Sequence, residues 1–471
     1  MAGDASTLDE RGNGLAFVHP LLHLRLVGLA GALLAASLPG CGSGEAVVVP
    51  DADPPLPEGC VDITVGTELL PTAESWRQSE WMPRHPFWVD ERGVHAAWVA
   101  SREGSTAERW LIVSSFDRET GEHLRSRIYD PFGREPGTRG GGLWDVAASP
   151  DGVFGGLAHE GSDSAPGGVL EHLALGQLND PAVLVLADLP WTRAEAAAFH
   201  VGWDGETFAV HALDLGSPGL RLARFSPDGA LVQDRTVAGR VRSLEESYSA
   251  FHTDAETGRS WLATQGDVGP WLSAHERDGA LLPGMEAQGG VVVEPQQVDL
   301  GAFYFCVGVA SRGGEAMLAW YDGASTYSET RLQRVRDAQP EGAALVIDGD
   351  EDTGNKKALT QSGGRWWMGM LKSGAGVESY WLSDTEQLSR EPLVPLRRCS
   401  PTCGGVHHDL FDIRNLSAFS RQDEVWFGFW DYSDQFNVSD EHPTASSPYR
   451  IVLVKEGCWY RTHWEKKYPE Q

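Results

Sequence analysis

The side chains of this 471-residue chain best suited to chemistry are thiols and imidazoles set close together. Cys399 and Cys403, separated by Ser400, Pro401 and Thr402, are followed by His407, His408 and Asp409. Thiolate and imidazole are ligands that tetrahedral zinc takes. No second cysteine pair follows, and in an oxidising compartment a disulfide closing a small loop is favoured over zinc. Asp348, Asp350 and Asp352 alternate along Asp348-Gly-Asp-Glu-Asp-Thr-Gly-Asn355, an arrangement that offers several oxygens to a hard cation such as calcium. Thr353 stands where such a loop turns on glycine, no closing Glu follows, and Lys356 and Lys357 oppose a cation. The three aspartates are therefore weak calcium candidates, and a solvated acidic loop is the favoured reading. Asp431, Asp434, Asp440 and Glu441 read the same way. No cofactor is expected otherwise.

Motifs that would fix a reaction are absent from the sequence. It contains no Gly-x-Ser-x-Gly elbow, no His-Glu-x-x-His pair and no phosphate-binding Gly-Lys-Ser/Thr loop. Catalytic residues stay unassigned, although carboxylates from distant segments could still assemble into an acid–base pair. Trp366, Trp367, Trp426 and Trp430 suit stacking on a sugar or an aromatic ligand, but alternating aromatics more often form core. The formal charge of -29 repels nucleic acid and anionic surfaces, so DNA and RNA are not expected partners.

The chain has six cysteines. Cys60 and Cys458 bracket the globular region, and a bridge between them would clasp its ends. Cys306 lies in an apolar, strand-like run at 301–309 and reads as a buried thiol. Other pairings remain open. Cys41 stands apart from these. Arg25 precedes an apolar run at 26–38, after which comes Leu38-Pro-Gly-Cys41. That run is shorter than the roughly 20 residues a bilayer span needs, so it reads as a secretory segment. The pattern resembles the bacterial lipoprotein signal, whose cysteine is acylated and whose preceding peptide bond is cut. The resemblance implies a lipid on Cys41, attachment to the membrane and an extracytoplasmic place in the cell envelope. The outer membrane is favoured over the inner, because Gly42 rather than Asp follows the cysteine. An ordinary cleaved signal and an uncleaved anchor are the alternatives. Asp4, Asp9 and Glu10 outweigh Arg11 where a signal should be positive, so a true start near Val18 fits better. The expected organisation is a signal peptide at 1–40, the lipidated cysteine and a proline-rich tether at 41–59, and one domain at 60–471.

The elements that must position any site are strands. A tight turn between strand-like runs recurs at Gly93, Gly152, Gly205, Gly258, Gly314, Gly364 and Asp423. Second turns follow some of them, at Gly121, Gly229 and Gly279. In the first unit four strands can be read, at 86–89, 94–100, 110–116 and 123–129, and no sustained helical periodicity interrupts the series. About seven units of about four strands match a β-propeller, an all-β ring of four-stranded blades. Two packed β-sandwiches are the alternative. The Ser-Pro-Asp-Gly turns at Ser149 and Ser226 resemble TolB-type propeller repeats. Asp254-Ala-Glu-Thr-Gly-Arg-Ser-Trp261 is similar to a degenerate Asp-box of sialidase-type propellers, a box that is itself a structural turn. Ring closure would pair 61–65 with 450–454 and bring Cys60 near Cys458. The expected function is a membrane-anchored binding module for a protein or glycan. The competing class is an extracytoplasmic hydrolase or lyase, glycosidase-like, built from residues on inner strands.

Overall fold

A computed structural model describes residues 60–458 apart from connections, the longest being 130–141, 161–169, 239–248, 294–307, 348–357, 396–412 and 432–449. The chain forms seven antiparallel sheets arranged as a seven-bladed propeller. Blade 1 comprises Phe87–Asp90, Gly93–Arg102, Arg109–Phe116 and His123–Tyr129, close to the bounds expected from sequence. The first strands of blades 2 to 7 are Gly142–Ala148, Ala196–Trp203, Ser249–Thr253, Gly308–Arg312, Ala358–Ser362 and Ile413–Arg421. Each first strand touches the first strand of the next blade, and blade 7 returns to blade 1, so these strands form the inner ring. Thr67–Leu69 is the one helical turn among the described residues, and no described helix is long and apolar enough to cross a membrane.

Packing follows from strand alternation with both faces covered. In Phe208–Asp214, Phe208, Val210 and Ala212 join the cluster toward blade 2, while Ala209 and Leu213 join the cluster toward blade 4. A strand buried on both faces reads as a near-continuous apolar run, interrupted here by His211. Each seam between adjacent blades holds one such cluster. Trp98, Trp261, Trp320, Trp426 and Trp430 are fully buried within them. Burying a large apolar side chain contributes about 1.5–3 kcal/mol, which is what holds blade to blade.

The turns obey the residue rules that located them. All nine glycines named above have positive φ. At Gly205, with φ +94°, an added Cβ would lie 2.4 Å from the Ala255 carbonyl oxygen, so glycine is required twice over. The seventh first turn has no glycine, and Gln422 takes the left-handed conformation at φ +52°.

The ring closes with the N-terminal strand. Asp62–Val65 pairs antiparallel with Arg450–Lys455, from Asp62 opposite Val454 to Val65 opposite Ile451. It is thus the outer strand of blade 7, whose other strands come from the C-terminal end. Cys60 and Cys458 form a disulfide beside it, with Cα atoms 5.3 Å apart.

Blade 1 departs from the others at its inner position. Two pieces share it: Phe87–Asp90 pairs with one end of Gly93–Arg102, and Trp76–Gln78 pairs with the other. Pro86, just before the second piece, has no N–H to give the ladder, although its carbonyl accepts from Ala97 N at 2.7 Å. The inner strands of blades 2, 3 and 7 are also interrupted, by register shifts between Leu143 and Asp145, between Ala197 and His200 and between Arg414 and Ser417.

Candidate functional site

Three of these interruptions, those in blades 1 to 3, gather ionisable side chains. An extra residue in one strand re-aims the side chains beside it and is over-represented near working sites. Here it brings Asp145 of blade 2 between His85 of blade 1 and His200 of blade 3. Asp145 is wholly buried, yet its carboxylate is satisfied. Oδ1 accepts hydrogen bonds from His85 Nδ1 at 2.9 Å, His85 N at 3.2 Å and Val146 N at 3.0 Å. Oδ2 accepts from Val201 N at 3.0 Å and lies 3.6 Å from His200 Nδ1. Burial by itself raises the carboxyl pKa, but the charge of His85 and the contacts from His85 and His200 outweigh it. The group is held well below the usual carboxylate range.

His85 is the exposed member, with 47% of its side chain accessible against 0% for Asp145. Donation from Nδ1 to the carboxylate fixes the tautomer and leaves Nε2 as the acceptor nitrogen. An imidazole so oriented can accept a hydrogen bond or a proton from a bound molecule. His252, on the inner strand of blade 4, is the next polar group round the ring. Its Nδ1 accepts from Ser311 N at 3.2 Å and faces Ser311 Oγ at 2.8 Å, which forbids a proton there. Burial, reinforced by the charge of His85 and opposed by Asp254, lowers its pKa to about 4.

Blade 1 holds a second chain of the same residue types. His95 Nδ1 faces Ser115 Oγ at 2.9 Å and Nε2 faces Asp90 Oδ1 at 3.0 Å. A serine–histidine–aspartate chain is the nucleophile arrangement of many hydrolases. Here Ser115 and His95 are 2% and 0% exposed, and Trp88 stacks on His95 at 5.2 Å. No substrate reaches the hydroxyl, so the chain is a latch tying the first turn to its strands.

The residues singled out in the sequence fare differently. Cys60 and Cys458 are joined as expected. Asp254 opens a turn, accepting from Glu256 N and Thr257 Oγ1 at 2.9 Å each, a structural role. Trp366, Trp367, Trp426 and Trp430 are core, so stacking on a ligand is not open to them. Cys41, Cys306, Cys399, Cys403, Asp348, Asp350, Asp352, His407, His408 and Asp409 lie outside the described residues, as do Asp434, Asp440 and Glu441. Among the described residues no group of three or more His, Cys, Asp or Glu side chains could hold a metal ion. A cavity of about 10 Å³ between blades 5 and 6, lined by Met317, Leu359, Trp367 and Tyr380, has room for one water at most.

No motif singles out His85, Asp145 and His200. One signal is present in the sequence: Asp145 and His200 stand at the same offset before the first residues of their turns, Ser149 and Asp204. Aligning the units on those turns puts two ionisable residues in one row of the inner ring.

No protein-family model matches the chain, and no curated protein matches it. Among solved structures it is similar to a puromycin hydrolase, at 17% identity over 77% of this chain and 52% of that one, with a TM-score of 0.45. It is also similar to a polysaccharide lyase, an ulvan lyase, at 9% identity over 79% of this chain and 93% of that one, with a TM-score of 0.46. Trypanosoma rangeli sialidase in complex with the inhibitor DANA aligns at 8% identity over 81% of this chain and 55% of that one, with a TM-score of 0.40. The chain spans about half the length of the puromycin hydrolase chains, 52% in each case.

Proposed function

We propose that this protein is a membrane-anchored, extracytoplasmic propeller lipoprotein that binds a protein or glycan at the end of the ring where His85 opens. The observation that carries the site is the pairing of a half-exposed imidazole with a wholly buried carboxylate. Such a pair presents Nε2 in one direction, suited to a hydroxyl or ammonium donor on the ligand. The charge of -29 disfavours polyanions, so the ligand is a neutral glycan or a basic protein segment. Lipid on Cys41 supplies the attachment to the cell envelope.

The test is an array of neutral glycans and basic peptides probed with the chain and with His85→Ala. A ligand retained by the first and weakened at least ~10-fold in the second, about 1.4 kcal/mol, supports the reading. Binding that ignores the substitution sinks it. Lipid attachment is tested separately, by the mass of the processed N-terminal peptide and by release of Cys41→Ser into the soluble fraction. The second reading, an extracytoplasmic hydrolase or lyase, is favoured by the same carboxylate, which orients His85 as a general base. Turnover of a bound glycan that His85→Ala abolishes would replace binding with catalysis.

A further inference from the structure

The seam between blades 3 and 4 is built unlike the others. Its apolar cluster is the smallest of the seven, drawing Ala209, Leu213, Leu220, Leu222 and Val237 from blade 3 and only Phe251 and Leu262 from blade 4. The remaining space is taken by histidines. His211 alternates with Ala209 and Leu213, so it faces blade 4, and it stands in register opposite His200. The His211 ring lies 4.4 Å from that of Phe251, and the His200 ring 5.4 Å. His275, on Gly269–His275 of blade 4, shares a face with Ser273, the cross-strand partner of Leu262, and so looks back at blade 3. His211 is 2% exposed and His275 1%, and among the described residues none of their ring nitrogens has a hydrogen bond of standard geometry, although the Ala209 backbone beside His211 and the Gly279 backbone beside His275 favour the charged form.

The charges around this seam are of both signs and are already engaged with one another. Arg224 lies on the face of Leu220 and Leu222 and pairs with buried Asp204. Arg235 packs against the blade 4 turn at Gly279. Arg277 bonds to Glu206 and to the Asp204 carbonyl, with Asp278 beside it. On the axial side Asp145 is engaged with His85 and Val201, 3.6 Å from His200. The carboxylates already have partners, so none is left to receive a new cation. Burial, with His275 and His200 nearby, holds His211 well below its ordinary pKa. Burial, opposed by the Gly279 backbone and reinforced by Arg235, lowers His275 to about 4.

We propose that the seam between blades 3 and 4 is an acid-sensitive joint, at which proton uptake by His211 and His275 opens the ring. A closed seam holds both rings neutral, whereas an opened one lets water reach them and they titrate normally. The open form binds more protons, so acid favours it. From pH 7 to pH 5 each ring contributes roughly 25-fold to opening, and the pair several hundred-fold. His200, in register with His211 and beside Asp145, ties the joint to the candidate site. The joint responds to acid whether or not that site binds a ligand.

The test is amide exchange of the intact chain at pH 7 and pH 5, corrected for the intrinsic pH dependence of exchange. Protection in Phe208–Asp214, Gly219–Phe225, Ser260–Gly266 and Gly269–His275 should fall at least ~10-fold more than in blades 5 to 7. His211→Leu combined with His275→Leu should abolish the difference. Equal loss in all blades, or a difference that survives in the double variant, overturns the proposal. If the double variant does not fold, the comparison between blades in the unaltered chain decides.

Discussion

Replacing Asp145 by Asn keeps the shape of the side chain and removes its charge. The carboxylate accepts from His85 Nδ1, His85 N and Val146 N on one oxygen and from Val201 N on the other. An amide has one oxygen only. In its better orientation that oxygen keeps the three donors on the His85 side, and the amide nitrogen then meets the Val201 N–H head-on. One buried donor is orphaned, at about 1–3 kcal/mol, and three charge-assisted bonds become neutral ones, so the total loss is about 2–4 kcal/mol. Urea unfolding followed by tryptophan fluorescence measures it as a lower midpoint at unchanged slope. Asp188 is the control. Its Oδ1 lies 2.8 Å from His172 Nδ1, as close as Asp145 to His85, but its side chain is 87% exposed. Water replaces the lost charge there, and Asp188→Asn should leave the midpoint unmoved within error. Equal effects at the two positions would refute the claim that burial, and not the hydrogen bond itself, makes Asp145 matter.

Other outcomes follow from the same structure. Reducing the Cys60–Cys458 bridge, or replacing both cysteines by Ser, should lower stability by about 3–5 kcal/mol, because it otherwise closes most of the chain into one loop. Calorimetry with and without reductant checks this, and an unchanged melting temperature would count against it. Gln422→Gly should raise stability by about 1 kcal/mol by relieving a left-handed residue, and a lower denaturant midpoint would contradict this. Gly428→Ala should cost about 1–3 kcal/mol, since its Cβ would lie 2.3 Å from the Phe87 ring in the seam between blades 7 and 1. His252 has a depressed pKa of about 4, so its contribution is complete above the unfolded value near 6.5 and fades as pH falls toward 4. The loss totals about 3 kcal/mol, and His252→Asn should flatten that limb of the stability–pH curve measured in urea.

The ring was legible because its turns and its core each impose a local rule. A positive φ favours glycine, and a strand covered on both faces favours an apolar run, as at Phe208–Asp214, where His211 is the interior exception. Closure was legible from Cys60 and Cys458, whose positions at the two ends make sense only if the ends meet. Turn chemistry does not say which turn is meant. Ser149-Pro-Asp-Gly152 joins the first two strands of blade 2, whereas Ser226-Pro-Asp-Gly229 joins the last two of blade 3. Both use one geometry, the glycine N–H donating to the serine carbonyl at 3.0 Å and 2.9 Å. Beyond the shared offset of Asp145 and His200 the candidate site was not legible, because His85 and Asp145 are 60 residues apart and meet only through adjacency of blades. Nor was the split inner strand of blade 1, which in the sequence reads as an ordinary strand starting at Pro86.

The closing disulfide also has a mechanical meaning. A pull on residues preceding Cys60 would, without the bridge, act on the end of the Asp62–Val65 pairing. Its ladder would then separate rung by rung, starting at Asp62 and Val454. Peeling of that kind resists little force, because a single pair carries the strain at any moment. With the bridge in place the tension passes through a covalent link to Cys458, at the end of a strand flanked on both sides within blade 7. The short outer strand is thereby relieved, and the whole blade bears the strain together. A domain held from its N-terminal side can thus be tugged without its ring coming undone at the seam where it was closed.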